Sequence, residues 1–479
     1  MRQGGSRPVV AAVVAALALV LSACNGGGPS ATAADSVAGL PVTHFKSGLK
    51  PNAPTPDLNV HNVSGDESDQ VATATIADVE SYWSGRMPTD FGMDFEPVTK
   101  LLSYDSNGPN QTNGCGDTEG DINAFYCSRD DSVSWDRGVL LPNMLQQFGQ
   151  LSVVMVLAHE FGHAVQYRLK DKAGIDKSTP TIVKEQQADC FAGGYFRWVV
   201  EGKSTYFNVS TSDGLNAALS SLFLVRDSAG TSATDTQAHG TAFDRIFAFQ
   251  LGFETGPKQC AALDLDSIKP RLVEQPFRPG TDKKQQGDIA IDETAISALQ
   301  SSLNDAFKGA NVAEPQIIAD GGACPGGGPS TPPASYCPSS NTVTIDLDAL
   351  AELGKPVDQD AEFSGDNTGG HGDFASFAEI ASRYALGVQK GVGASIDTPG
   401  AGLRTACLVG AWAAVAALPG QKLRLSAGDL DEAISDLLRP DGLVAADVNG
   451  NRTASGFNRV EAMRTGYLQG SPICSRQYN

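Results

Sequence analysis

The sequence is short of basic residues. Its 479 residues include 35 Lys and Arg against 55 Asp and Glu, which gives a formal net charge of −20. A chain with this charge repels phosphate backbones and anionic membrane surfaces, so we expect no nucleic-acid partner. A hydrophobic fraction of 41% and a charged fraction of 19% exclude wholesale disorder, and the length suits two or three domains.

The apolar run near the N-terminus is too short to cross a bilayer. It extends from Val9 to Leu21 and follows Arg2 and Arg7, a pattern typical of a secretory signal peptide. The run ends in the letters LSAC, which resemble a bacterial lipobox in which Cys24 is lipidated. We therefore predict a signal peptide over residues 1–23 and an exported protein, lipid-anchored on the extracytoplasmic face of the membrane. Ordinary cleavage beside an incidental cysteine is the alternative.

Composition divides the rest of the chain into four parts. Residues 24–70 are rich in Gly, Pro, Ser, Thr and Asn without a sustained apolar period, which predicts a flexible stalk. Helical patterns with a few short strands predict an α+β, mostly helical domain over residues 71–265. A polar stretch with Pro and Gly predicts a linker over residues 266–290. A second domain then occupies residues 291–479.

The second half of the chain repeats landmarks of the first in the same order. The segment from Phe243 to Cys260 aligns without a gap on the segment from Phe457 to Cys474. Further upstream, Cys190 aligns with Cys407. A recurrence of this kind indicates an internal duplication, and chance similarity between two Ala- and Gly-rich stretches is the alternative.

The cysteines favour disulfides over thiol chemistry. Eight remain when Cys24 is set apart, and an even number in an exported protein indicates a disulfide framework. Because each half holds four at matching places, we expect pairing within each half and in the same form. The predicted bridges are Cys115 with Cys127, Cys190 with Cys260, Cys324 with Cys337, and Cys407 with Cys474.

Histidine is scarce, yet two of the six histidines stand four residues apart in the letters HEFGH. On a helix, His159 and His163 share a face, so both rings can hold one metal ion. Glu160 is placed beside the ion, where a carboxylate can act as general base on a metal-activated water. The segment lies within an apolar helix, where these side chains would be costly to bury without a metal. An accidental match to HExxH is the alternative.

A catalytic zinc also needs a third protein ligand and an open position for water. The next helix offers Glu185 and Asp189, which are i,i+4 neighbours on one face. This pattern, 22 residues after His163, resembles that of gluzincins, in which the glutamate binds the metal and the aspartate orients a ligand histidine. The resemblance implies Glu185 as the third ligand and Asp189 as the residue that orients a ligand histidine. The reverse assignment and a solvated pair of surface acids stay open.

A third histidine opens a later helix in the letters HGTAFDR. At that place His239 could donate a hydrogen bond to the oxyanion that develops during attack on a carbonyl. An ordinary loop histidine is the alternative interpretation. The sequence offers no partner for the other three histidines, His44, His61 and His371.

Three segments together carry a family resemblance. The letters HEFGHAVQ, EQQADCFAG and HGTAFDR occur in this order, with Cys-Gly and Phe-Tyr-Cys upstream and Cys260 at the end. Over about residues 71–260 this set resembles the neutral zinc metallopeptidases of bacteria. The resemblance implies a zincin-like fold, one Zn²⁺ per chain, and hydrolysis of protein or peptide substrates. The chain departs from the pattern at Ala164, where another histidine is expected, but that position is not a required ligand.

The second half lacks every one of these chemical groups. In the alignment, the metal-site positions of the first half become Ser382, Arg383, Leu386, Gly402, Ala406 and Thr453. We therefore predict that residues 291–479 form a degenerate duplicate without metal ligands. The rival function is a zinc-containing surface binding or assembly lipoprotein without proteolytic turnover. An intact Glu160 argues against this rival, because a structural zinc site has no use for a carboxylate that is not a ligand.

Overall fold

A computed structural model describes residues 34–277, 287–364 and 370–478. The predicted signal peptide and Cys24 lie outside these residues. The architecture is α+β and mostly helical, which confirms the predicted fold class. None of the helices in the described ranges combines the length and the apolar character needed to cross a membrane.

The first half contains eight helices and ten short strands among the described residues. The helices are α1 Glu67–Arg86, α2 Leu140–Phe148, α3 Gln150–Leu169, α4 Thr181–Val200, α5 Asp213–Leu224, α6 Ala242–Thr255, α7 Pro257–Ala261 and α8 Leu265–Ile268. The strands are β1 Ser36–Val37, β2 Leu40–Pro41, β3 Gly48–Leu49, β4 Val60–His61, β5 Lys100–Tyr104, β6 Thr112–Asn113, β7 Gly116–Asp117, β8 Ala124–Cys127, β9 Ser132–Asp136 and β10 Phe207–Asn208.

The described part of the second half is built from similar elements. Its helices are α9 Glu293–Phe307, α10 Leu347–Leu353, α11 Gln359–Ser364, α12 Asp373–Gly391, α13 Pro399–Ala416, α14 Asp429–Leu438, α15 Gly456–Gln469 and α16 Cys474–Gln477. Its strands are β11 Gln316–Ala319, β12 Ala334–Cys337 and β13 Thr342–Ile345. Elsewhere in the chain a short π-helix lies at Met87–Phe91, and short 3-10 turns lie at Lys170–Ala173, Lys269–Arg271, Lys308–Ala310 and Ser471–Ile473.

Side-chain caps fix where several helices begin. The Asp66 side chain accepts a hydrogen bond from the backbone N of Asp69 at 2.9 Å, one turn into α1. The Thr241 hydroxyl accepts from the backbone N of Asp244 at 3.1 Å and so starts α6 directly after His239 and Gly240. Each cap satisfies a backbone donor that the first turn of a helix leaves free.

The sheet that borders the site has the strand order β4-β5-β9-β8. Strands β4, β5 and β9 run parallel, whereas β8 pairs antiparallel with β9 and pairs Tyr126 with Val133. Strand β8 is therefore an edge strand, and it packs beside α3. In the second half, β11 and β13 are parallel and β12 is antiparallel to β13. The three strands β11, β13 and β12 thus pair in the same pattern as β5, β9 and β8.

The helix pairs of the two halves also approach each other in the same way. Helix α4 packs on α6, and α13 packs on α15. A Cβ added at Gly252 would lie 1.7 Å from the carbonyl oxygen of Cys190, and one added at Gly466 would lie 1.7 Å from that of Cys407. Only glycine permits these contacts. All four predicted disulfides are present. Cys190–Cys260 links α4 to α7, which follows α6, and Cys407–Cys474 links α13 to α16, which follows α15.

Residues 34–70 differ from the flexible stalk that their composition predicts. Strand β3 pairs with β10, and the backbone N of Thr43 donates to the Thr211 hydroxyl at 2.8 Å. The Ser47 hydroxyl donates to that of Ser210 at 3.0 Å. Local composition does not indicate these contacts, because the hydrogen-bond partners of Thr43 and Ser47 are 168 and 163 residues further along the chain.

One hydrophobic core extends through both halves. The rings of Phe253 and Phe457 lie 5.1 Å apart, and Gln250 Nε2 donates to the carbonyl of Phe457 at 2.8 Å. Part of the predicted linker joins this core as well, since Ile268 and Val273 are buried. The two predicted domains therefore share an extensive interface.

Candidate metal centre

Helices α3 and α4 cross closely at the HEFGH segment. A Cβ added at Gly162 would lie 2.7 Å from the Cα of Ala188, so the glycine of the motif is what lets the helices meet. The crossing places the histidine face of α3 against the acidic face of α4. Glu185 and Asp189 are 7% and 0% exposed, which excludes the interpretation that they are solvated surface acids.

Three side chains converge on one point between these helices. His159 Nε2 lies 3.3 Å from Glu185 Oε2, and His163 Nε2 lies 3.5 Å from Glu185 Oε1. One ligand atom from each of the three residues falls within 4.8 Å of the other two. The predicted set of His159, His163 and Glu185 is thus brought together in space.

Acceptors behind the rings orient both imidazoles. His159 Nδ1 lies 2.7 Å from Asp189 Oδ1, and His163 Nδ1 lies 3.1 Å from Gln166 Oε1. Gln166 is itself fixed, because its Nε2 donates to the Lys184 carbonyl at 2.6 Å. An acceptor at Nδ1 retains the ring proton there and leaves the Nε2 lone pair directed at the centre.

Arg245 completes the support of His159. Its Nε donates to Asp189 Oδ2 and its Nη2 to Asp189 Oδ1, both at 3.0 Å. Burial alone would raise the pKa of Asp189, but the charges of Arg245 and His159 hold that pKa below its ordinary value. The arginine belongs to the HGTAFDR segment, but its partner could not be read from the sequence.

Glu160 lies beside the converging atoms and not among them. Its Oε1 is 3.9 Å from His159 Nε2, while its Oε2 accepts a hydrogen bond from the backbone N of Tyr126 at 3.0 Å. Tyr126 lies on the edge strand β8, so the sheet holds this carboxylate in place. The side chain is 12% exposed and lines the adjoining cavity.

His239 lies on the rim of the same cavity, about half exposed. Its Nδ1 is 3.4 Å from Asp227 Oδ1, and the backbone N atoms of His239 and Gly240 donate to the Asp227 carboxylate at 3.1 and 2.8 Å. Asp227 was not predicted as part of the site. It precedes His239 by 12 residues in a loop without periodic pattern.

The donor set fits a zinc ion. Two Nε2 lone pairs face a buried carboxylate, and Glu185 Oε2 has no hydrogen-bond partner among the described residues. Facing lone pairs need a positive charge between them, and two nitrogens with one carboxylate oxygen are a ligand set of catalytic zinc. The Glu185 side chain is also held as an anion, the form in which a carboxylate binds a metal. Burial would raise the pKa of Glu185, but His163 and His159 hold it well below its ordinary value.

The second half places a fixed cation where the first half has Glu160. Arg383, aligned on Glu160, is fully buried and donates to the carbonyl oxygens of Leu443, Ala446 and Asp447, each at 2.8 Å. The guanidinium thus ties α12 to the loop after α14. A buried arginine at this point disfavours a metal cation.

Comparison with known proteins agrees with the geometry of the first half. Residues 43–263 match a family model described as "Putative neutral zinc metallopeptidase". An uncharacterized protein of Mycobacterium tuberculosis is 30% identical over 167 residues, which cover 31% of this chain and 57% of the relative. The uncharacterized protein YpfJ of Escherichia coli is 28% identical over 210 residues, which cover 41% of this chain and 71% of the relative. This chain therefore spans little more than half the length of the mycobacterial relative. No solved structure matches it significantly.

Proposed function

Because residues 43–263 match the model of the neutral zinc metallopeptidase family, we propose that this protein hydrolyses peptide bonds at a zinc ion held by His159, His163 and Glu185. The observation that carries the proposal is the convergence of two Nε2 atoms and one carboxylate beside a second carboxylate, that of Glu160, which is not a ligand. A structural zinc site needs four protein ligands and no neighbouring base.

A bound zinc ion would supply an acidified water, with a pKa of about 7, and would polarise the carbonyl to be attacked. Glu160 accepts the proton of the water and returns it to the departing amine. The backbone N of Tyr126 donates to one oxygen of this carboxylate and leaves the other directed at the centre. Asp189 and Gln166 hold the two rings with their lone pairs inward.

The edge strand β8 gives the substrate a place to bind. In the antiparallel pairing with β9, the N–H and C=O of a residue point to the same side, so Ala124 shares the free edge with Tyr126. Their N–H groups already donate to Asn123 Oδ1 and Glu160 Oε2, so this edge offers a peptide their carbonyl oxygens. Asn123 and Ala124 line the cavity next to Glu160. An extended peptide added to this edge passes the metal centre with its backbone hydrogen-bonded.

His239 is proposed as a hydrogen-bond donor to the oxyanion. It lines the cavity that contains His159 and Glu160, and Asp227 fixes the backbone around it. A donor placed where negative charge develops stabilises the transition state more than the substrate.

The first test is hydrolysis itself. The purified protein, loaded with about one zinc per chain, is incubated with a broad peptide library and the products are identified by mass spectrometry. We expect cleavage that stops when a chelator removes the metal and returns when zinc is added back. A zinc-loaded protein that cleaves no peptide would contradict the peptidase proposal and favour the binding or assembly role.

The membrane anchor is a separate proposal that rests on the lipobox-like letters at Cys24. Cells that express the full chain should incorporate a labelled fatty acid into the wild-type protein and retain it in the membrane fraction. The Cys24→Ala variant should incorporate none. Equal labelling of the two proteins would exclude Cys24 as the lipidated residue.

A further inference from the structure

One wall of the cavity at the metal centre comes from the second half of the chain. The cavity has a volume of about 200 Å³ and contains His159 and Glu160 on one side. Every other residue that lines it precedes residue 246, but Phe363, on α11, also lines it. The half without the HEFGH segment thus contributes a ring to the candidate active site.

Helix α11 is fastened to the first half close to this ring. Gln147 Nε2 donates to the Phe363 carbonyl at 2.7 Å, and Arg226 Nη2 bonds Glu362 Oε2 at 2.9 Å. The Arg226 side chain is 5% exposed and lies 3.8 Å above the ring of Phe223 on α5. The ion pair is therefore well sheltered, and it holds the residue next to Phe363 in place.

Apolar side chains form most of the cavity around Phe363. Leu140, Met155 and Leu222 are buried, and Val225 adds a fourth apolar side chain to the lining. Most of the polar groups lie at the metal centre and on the rim, and the buried Ser221 hydroxyl donates to the Ala218 carbonyl at 2.7 Å. The volume is several times the share of roughly 30 Å³ that one water molecule takes in the liquid, which suits one large side chain. Away from the metal centre, this lining gains free energy from apolar burial and presents no charged side chain to a substrate.

We infer that Phe363 is a specificity-determining residue that completes an apolar subsite next to the scissile bond. The substrates are peptides that carry a large aliphatic or aromatic side chain at one position flanking the bond. This inference rests on the proposed peptidase function and adds the substrate class. It also gives the second half a role in the reaction, as the part that closes the subsite.

The test compares the zinc-loaded wild type with Phe363→Ala on peptides that differ only in Gly, Ala, Leu or Phe at each flanking position. The wild type should prefer Leu or Phe to Gly at one position by about tenfold or more in kcat/KM. Phe363→Ala should lose about tenfold on the preferred peptide and less than about threefold on the Gly peptide. A Phe363→Trp variant, which narrows the cavity, should shift the preference from Phe towards Ala.

Ile318→Ala is the matched control, because Ile318 is an apolar residue of the second half that is 46% exposed and does not line the cavity. It should leave all ratios unchanged, and zinc content should equal that of the wild type in every variant. If the wild type cleaves but Phe363→Ala and Phe363→Trp alter all peptides equally or none, the subsite is refuted while the peptidase proposal stands. If the wild type cleaves nothing, the peptidase proposal fails and the subsite fails with it.

Discussion

Replacing Glu160 by Gln should lower kcat/KM for peptide hydrolysis by about 10³-fold and leave about one zinc per chain in place. The amide has nearly the shape of the carboxylate, and its oxygen can still accept the hydrogen bond from the Tyr126 backbone N. It cannot take a proton from the attacking water. Zinc should remain because Glu160 Oε1 is 3.9 Å from His159 Nε2 and lies outside the converging set.

The measurement pairs steady-state kinetics with metal analysis of the same sample. Glu352→Gln is a suitable control, because this glutamate lies on α10 in the second half and its side chain is 71% exposed. The control should keep activity within about twofold of the wild type. Turnover at the wild-type rate by Glu160→Gln would show that another group is the base. Loss of zinc together with activity would place Glu160 among the ligands.

Much of the metal centre could be predicted because its side chains come in pairs that are close together in the sequence. Two histidines four residues apart, and two acids four residues apart, must share helix faces wherever the helices lie. The disulfides were also predictable, since the repeat limited pairing to one half at a time and all four bridges are present. Both inferences depend on order and period, which the sequence displays directly.

The contacts that sequence reasoning missed join distant segments without any period. Phe363 reaches the cavity from α11, more than 200 residues after HEFGH. Tyr126 contributes a backbone N–H, which no side-chain pattern encodes. The residues near Thr43 were predicted as a stalk because their composition is polar, yet they bond to Thr211. In each case tertiary packing brings the partners together, and local composition does not indicate which residues will meet.

Two variants on α4 separate the assignments that the sequence leaves open for the third ligand. We expect Glu185→Gln to weaken zinc binding by more than about 100-fold, since it removes a charged ligand that faces both Nε2 atoms. Asp189→Asn should weaken zinc binding by about 10- to 100-fold, as expected for a group that orients a ligand through the Nδ1 of His159 and does not bind the metal itself. A competition titration with a chromogenic chelator measures both affinities.

The stability of the metal-free proteins should show the opposite order. Asp189→Asn leaves the guanidinium of Arg245, which is 3% exposed, without its buried counter-ion, and this should lower the free energy of unfolding by about 3–5 kcal/mol. Glu185→Gln removes a carboxylate whose partners are imidazoles, and these can give up their protons whereas Arg245 cannot, so its cost should be smaller. Urea denaturation with chelator present measures both values. If Asp189→Asn instead abolishes zinc binding while Glu185→Gln retains it, Asp189 is the ligand and Arg245 serves to lower its pKa, so the reverse assignment holds.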